Sequence, residues 1–327
     1  MSEYREQGTG NREQEPGARV GLLFPGQGSQ FVGMGRDLVD AYPEAKATFE
    51  EADDALGTAL SRLCWDGPES ELTLTINAQP AILVHSVAVW RIIQQRAPRV
   101  TLAAGHSLGE FSAYVAAGSL SFADAVRTVR RRGELMYRSG TDRPGTMAAV
   151  LGLDDAVVDS VCEDSSARGE GVVIAANFNA PGQVVISGDV PAVRRAEVAL
   201  KEAGAKRVLP LNVSGAFHSP LMAVAEAGLR EQLDAVEVRD PGFPVVSNVT
   251  AQPVTNAYDA RRLLVEQLTS AVRWVASVEA MRSAGVEEFW EVGPGNVLTG
   301  LLRRIDRAAT GRSLGTPQEI ADLLAEG

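Results

Sequence analysis

The chain has 327 residues, 45% of them hydrophobic, and a formal net charge of −11. That length and composition suit one large or two modest globular domains and exclude a fibrous or wholly disordered protein. The negative charge opposes polyanions, so no nucleic-acid partner is expected, and the two distant cysteines, Cys64 and Cys162, show no metal-site spacing and read as small buried hydrophobes.

Residues 1–18 are polar, lack the apolar core of a secretory signal and read as a disordered N-terminal tail. No apolar run of membrane-spanning length stands out further on, so a cytoplasmic protein without a membrane partner is expected. Residues 19–24 read as a buried strand running straight into the loop Pro25-Gly-Gln-Gly-Ser-Gln30, the kind of junction at which α/β folds offer backbone to a ligand. Helical periodicity covers about 36–56 and 79–95, the second opening on Gln79-Pro80 with proline in the first turn. A strand over 100–104 leads into Gly105-His-Ser-Leu-Gly109 and a small-residue helix. Next, an Arg-rich helix over about 122–138 carries Arg127, Arg130, Arg131, Arg132 and Arg138. Alternating strands and helices argue for a parallel sheet covered by helices.

After Pro144 the texture changes. Strands at 145–153, 172–177, 183–187 and 207–212, with helices at 155–162 and 190–204, spell βαββαβ, the order of a ferredoxin-like unit. The expected division is a large α/β subdomain built from 19–143 and 213–327, with a small one, 144–212, inserted in it. The large part resumes with a loop at 213–222, a helix, a strand at 243–247 and a helix over about 260–284. A strand at 287–292 then ends in Gly293-Pro-Gly295, and a short amphipathic helix covers 317–324.

Glycine on both sides of Ser107 lets a strand turn sharply into a helix and pushes the hydroxyl out of the sheet edge, where unpaired N–H groups can meet an oxyanion. A merely structural loop is the competing reading. A serine hydroxyl needs a base, and the chain has 3 histidines. His106 adjoins the serine and reads as support for the turn, and His85 sits mid-helix as a core or surface residue. His218 is left, in a Gly-, Ser- and Pro-rich loop, where an ordinary loop histidine is the alternative. No Asp or Glu presents itself to orient the imidazole, so a carbonyl or amide oxygen is needed, with Gln267 and Asn248 as suppliers.

The motifs Phe24-Pro-Gly-Gln-Gly-Ser-Gln30, Gln79-Pro80, Gly105-His-Ser-Leu-Gly109, Arg132-Gly133, Asn177-Phe-Asn179, Pro181-Gly-Gln-Val-Val185, Ala216-Phe-His-Ser219 and Glu291-Val-Gly-Pro-Gly295 occur in an order that resembles malonyl-CoA:acyl-carrier-protein transacylases and the related acyltransferases of polyketide synthases. The resemblance implies an α/β-hydrolase-like large subdomain with the ferredoxin-like unit inserted. It also implies that Ser107 is acylated, that His218 is its base oriented by a backbone carbonyl at or near Gln267, and that the N–H groups of Gln27 and Leu108 form the oxyanion hole. Arg132 matches the arginine that grips a malonyl carboxylate, a pairing that guanidinium geometry favours independently. Phe217 and Asn179 are expected to line the substrate pocket, with Phe217 resembling malonyl users. Gly215 departs from the His found at that place in many polyketide malonyl enzymes and is similar to the fatty-acid type.

The implied partners are malonyl-CoA and an acyl carrier protein whose phosphopantetheine takes the malonyl group, with no cofactor and no metal, acting as a monomer. The competing activities are an acyl hydrolase of the same fold and a non-catalytic docking module.

Overall fold

The apolar segment Val20–Phe24 forms strand β1 with every residue buried, as a strand covered on both faces requires. The computed structural model describes residues 19–326 apart from 96 and 98, and the expected tail at 1–18 lies outside them. The helix expected at 36–56 is two, α1 (Arg36–Ala41) and α2 (Pro43–Leu56), because Pro43 cannot extend a helix yet suits a first turn. Short helices α3 (Leu60–Asp66) and α4 (Glu69–Leu72) lead to α5 (Thr75–Ile93). Pro80 lies inside α5 and not in its first turn as the sequence suggested. The lost backbone hydrogen bond is tolerated because α5 is apolar on all sides and packing holds it. Helix α5, 19 residues long, contains an 18-residue window whose mean hydropathy of 1.2 would suit a membrane span, but 78% of that window is buried inside the protein, as in a core helix.

Strand β2 (Val100–Gly105) and helices α6 (Gly109–Ala116) and α7 (Phe122–Asp142) follow. Ser121 caps α7 by accepting from the Asp124 N–H. The chain then builds a second sheet from β3 (Gly145–Leu151), α8 (Asp155–Ala167), β4 (Val173–Ala180), β5 (Gln183–Asp189), α9 (Val190–Glu202) and β6 (Arg207–Pro210). Its strands are antiparallel in the order β4-β5-β3-β6. Val158 and Cys162 of α8, with Val193, Ala196 and Leu200 of α9, pack on that sheet to give it a core of its own.

A 3-10 turn (Pro220–Met222) and α10 (Ala223–Asp234) return the chain to the large sheet, which β7 (Val245–Val246) and β8 (Pro253–Val254) extend. The helix expected over 260–284 is split into α11 (Ala257–Glu266) and α12 (Trp274–Ser283). Between them Val272 docks on β4: its N–H donates to Ala176 O at 2.8 Å, and its carbonyl accepts from Phe178 N at 2.9 Å. Backbone groups that a continuous helix would use internally are spent on the small sheet. Strand β9 (Glu288–Val292), α13 (Val297–Ile305), β10 (Thr310–Leu314) and α14 (Pro317–Ala325) complete the chain. The large sheet runs β10-β9-β1-β2-β7-β8 and is parallel except for β8. This is the helix-covered parallel sheet plus βαββαβ unit that the sequence pattern implied.

Candidate active site

In β1 and β2, Phe24 lies opposite Gly105, so the loop after β1 and the turn after β2 leave the sheet side by side at its C-terminal edge. The turn needs both its glycines. A Cβ on Gly105 would stand 1.9 Å from the Gly109 carbonyl carbon, and one on Gly109 would stand 2.1 Å from the Phe24 carbonyl oxygen. Between them Ser107 is left-handed, with φ 50°, a strain of about 1–3 kcal/mol that surrounding contacts must offset. Those contacts are specific. The Ser107 N–H donates to Asn248 Oδ1 at 2.7 Å, and the Ser107 carbonyl accepts from Gln267 Nε2 at 3.0 Å.

The hydroxyl so presented lies 2.8 Å from His218 Nε2. His218 Nδ1 is 2.9 Å from the backbone carbonyl of Gln267, which can only accept, so Nδ1 carries the proton and Nε2 is free to take one. Burial, reinforced by the nearby Arg132 charge, lowers the His218 pKa to about 3. The imidazole is therefore neutral at neutral pH, with Nε2 unprotonated and facing the hydroxyl.

Arg132 is 1% exposed. Its NH1 donates to Gln79 Oε1 at 2.6 Å, and its NH2 to Gln267 Oε1 at 2.8 Å and Ser107 Oγ at 3.1 Å. Each partner is a neutral oxygen. Burial lowers the guanidinium pKa to about 10, with Glu110 opposing the fall, which still leaves a full positive charge at neutral pH. Of the other arginines of α7, Arg127, Arg131 and Arg138 face outward and pair with Asp124, Glu134 and Asp142, and the half-buried Arg130 donates to Asn77 of α5.

Ser107, His218 and Arg132 open onto a cavity of about 340 Å³ that Gln27, Leu108, Phe217 and Asn179 also line. Among the described residues no internal hydrogen bond engages the backbone N–H of Gln27 or Leu108, so both are available to an oxyanion. In the same lining, Asn179 Oδ1 meets His106 Nε2 at 2.8 Å. His106 thus reaches across the cleft to β4, beyond the turn-supporting place it was expected to fill.

The family profile described as the acyl transferase domain matches residues 22–317 of this chain. The chain belongs to that family. It is 48% identical over 304 residues to the malonyl CoA-acyl carrier protein transacylase of Escherichia coli strain K12, covering 93% of this chain and 98% of that one. Over 303 residues it is 46% identical to the protein of the same name in Bacillus subtilis strain 168, covering 93% and 95% of the two. A malonyl-transacylase solved in complex with a type II PKS acyl-carrier protein superposes with a TM-score of 0.90 at 43% identity, covering 95% of this chain and all of that one.

Within this acyl transferase, Ser107, His218, Arg132, Gln27, Leu108, Phe217 and Asn179 line the one cavity, whereas Gln267 and Asn248 lie outside its lining. Asn248 is a correction. It was a candidate for orienting the imidazole, but its side chain bridges Ser107 N and Gly105 O and so pins the turn. Two residues escaped the sequence reading. Gln79, whose motif carries no role in the sequence, holds Arg132 through its Oε1 while its Nε2 donates to Thr75. Glu110, which in the sequence only opens the small-residue helical run after the turn, is fully buried behind Ser107. The Glu291 motif proves architectural: its carboxylate accepts from the Leu298 and Thr299 N–H groups at the start of α13.

Proposed function

We propose that this acyl transferase moves the malonyl group of malonyl-CoA, through an ester on Ser107, to the phosphopantetheine thiol of an acyl carrier protein. The observation that carries this reading is a fully buried guanidinium, held only by neutral oxygens, 3.1 Å from the hydroxyl that a neutral imidazole can deprotonate. A carboxylate on the far end of the acyl group supplies the missing anionic partner. Hydrogen bonds to charged groups are worth about 1.5–3 kcal/mol each, so an uncharged acyl group forfeits roughly 10- to 100-fold per bond. The names of the two curated relatives and the carrier-bound structural neighbour support both substrate and acceptor.

In this reading His218 Nε2 takes the Ser107 proton as Oγ attacks the thioester carbon. The Gln27 and Leu108 N–H groups hold the resulting oxyanion. Collapse breaks the C–S bond, and the imidazolium returns its proton to the departing CoA sulfur. His218 then deprotonates the carrier's thiol, which attacks the serine ester, and Ser107 leaves with that proton. A carbonyl serves where many hydrolases use a carboxylate, because the imidazole needs only its tautomer fixed. The Phe217 ring crowds a branch on the malonyl α-carbon and favours malonyl over methylmalonyl. The chain works as a cytoplasmic monomer and needs no cofactor, metal, membrane or nucleic acid.

The test is intact-protein mass spectrometry after brief exposure to malonyl-CoA. A single malonyl increment is expected on the wild type, less with methylmalonyl-CoA, and none on Ser107→Ala. Rapid release of free malonate without transfer to a carrier would assign the chain to hydrolysis, and no adduct would assign it to docking.

A further inference from the structure

Among the described residues Glu110 is the one fully buried carboxylate behind the catalytic turn, and the steps above do not use it. Its Oε2 accepts from Gln267 Nε2 at 2.8 Å and from the Asn248 backbone N–H at 3.1 Å. These two residues hold the catalytic groups. Asn248 pins Ser107 N, whereas Gln267 touches Ser107 O and Arg132 NH2 with its amide and His218 Nδ1 with its carbonyl.

A primary amide is nearly symmetric in shape but opposite in chemistry at its two ends. At Gln267 one end faces a guanidinium, which only donates, and the other faces the Ser107 carbonyl and the Glu110 carboxyl. Turned by half a rotation, the amide would set N–H against N–H on the arginine side and oxygen against oxygen on the other. The Ser107 carbonyl alone offers Nε2 one acceptor, and Glu110 adds the second, stronger one. We infer that Glu110 is a positioning residue: by accepting from Gln267 Nε2 and Asn248 N, it keeps the Gln267 oxygen turned toward Arg132 and so aims the guanidinium at the acyl carboxylate.

Burial pushes the Glu110 carboxyl up to about 7, against the Asn248 and Gln267 hydrogen bonds and the Arg132 charge that lower it. Both protonation states keep an acceptor oxygen on the amide side, so the positioning does not require the ion.

The inference rests on the malonyl reading and is tested through acyl selectivity, because damage that is merely structural lowers transfer of charged and uncharged acyl groups alike. Transfer of malonyl and acetyl from CoA to a carrier protein is measured for the wild type and three variants, with circular dichroism as the check on folding. Glu110→Met removes the acceptor at nearly constant volume. Glu110→Asp keeps the polar group but withdraws it by about one C–C bond, ~1.5 Å, and guards against a Met variant that does not fold. Glu110→Gln restores an acceptor oxygen. The expected malonyl-to-acetyl ratio of kcat/KM falls about tenfold or more in Met and Asp and stays within about threefold of wild type in Gln. Equal loss for both acyl groups in Met and Asp, or an unchanged ratio, overturns the positioning role. A wild type that shows no malonyl preference overturns the functional reading instead.

Discussion

His85 and His218 are both buried, but only His218 has a hydrogen-bond partner on each nitrogen. His85 is 1% exposed in the middle of α5, and its Nδ1 has no partner among the described residues. Burial lowers its pKa from 6.5 to about 3. Between those values the unfolded chain binds a proton that the folded chain refuses, so stability falls as pH drops through that window and is untouched above it. His218 adds to the same slope, whereas the raised Glu110 opposes it. His85→Leu removes only the first contribution. Its urea or thermal midpoint should match or slightly exceed that of the wild type at pH 8 and exceed it increasingly from pH 6 to 4.5. A constant difference across that range would show that His85 does not carry the acid sensitivity.

At the scale of the element, the turn at 105–109 stands on backbone clearance. Gly105→Ala would force a Cβ to within 1.9 Å of the next turn's backbone, so loss of soluble protein or at least a hundredfold loss of Ser107 acylation is expected. Gly300→Ala in α13 meets nothing within 4 Å and should be neutral or stabilise by about 0.5–1 kcal/mol. Circular dichroism and adduct yield on the two variants check both. This turn was legible in the sequence because its constraint is local: a strand pattern, two glycines and a helix pattern within one short stretch. Arg132 was legible only through its motif, because in an Arg-rich helix it otherwise reads as one more solvated charge; the structure places it in step with the buried Ala125, Val129 and Met136, three or four residues apart, while Arg127, Arg131 and Arg138 fall off that stripe. The break between α11 and α12 was not legible, since residues 260–284 are apolar at helical spacing and only the presence of β4 makes Val272 leave the helix. The edge strand β10 carries no apolar alternation to announce it.

Across the whole molecule the site is a convergence of distant segments. Ser107 and Glu110 come from the β2–α6 junction, Arg132 from α7, His218 from the loop after the small sheet, and Asn248 and Gln267 from beyond α10. Identity and order of the motifs pointed to the family, and elimination among three histidines pointed to His218. Asn248 lies 141 residues from Ser107, and Gln267 lies 160 from Ser107, 135 from Arg132 and 49 from His218, and no periodicity reports such pairings. The glutamate behind the turn was hidden for the opposite reason: in a small-residue helix it looks like one more solvated charge until the second layer of chain closes over it.

The backbone clasp between Val272 and β4 sets the terms on which this enzyme can be recombined. Exchanging residues 145–210 for those of a relative would treat the smaller sheet as a cassette, yet the same strand also braces the segment whose carbonyl steers the imidazole. A graft that carries residues 267–273 from the same donor should keep its acylation yield and melting temperature. One that leaves the recipient's segment in place should lose yield first, with the melting temperature little changed.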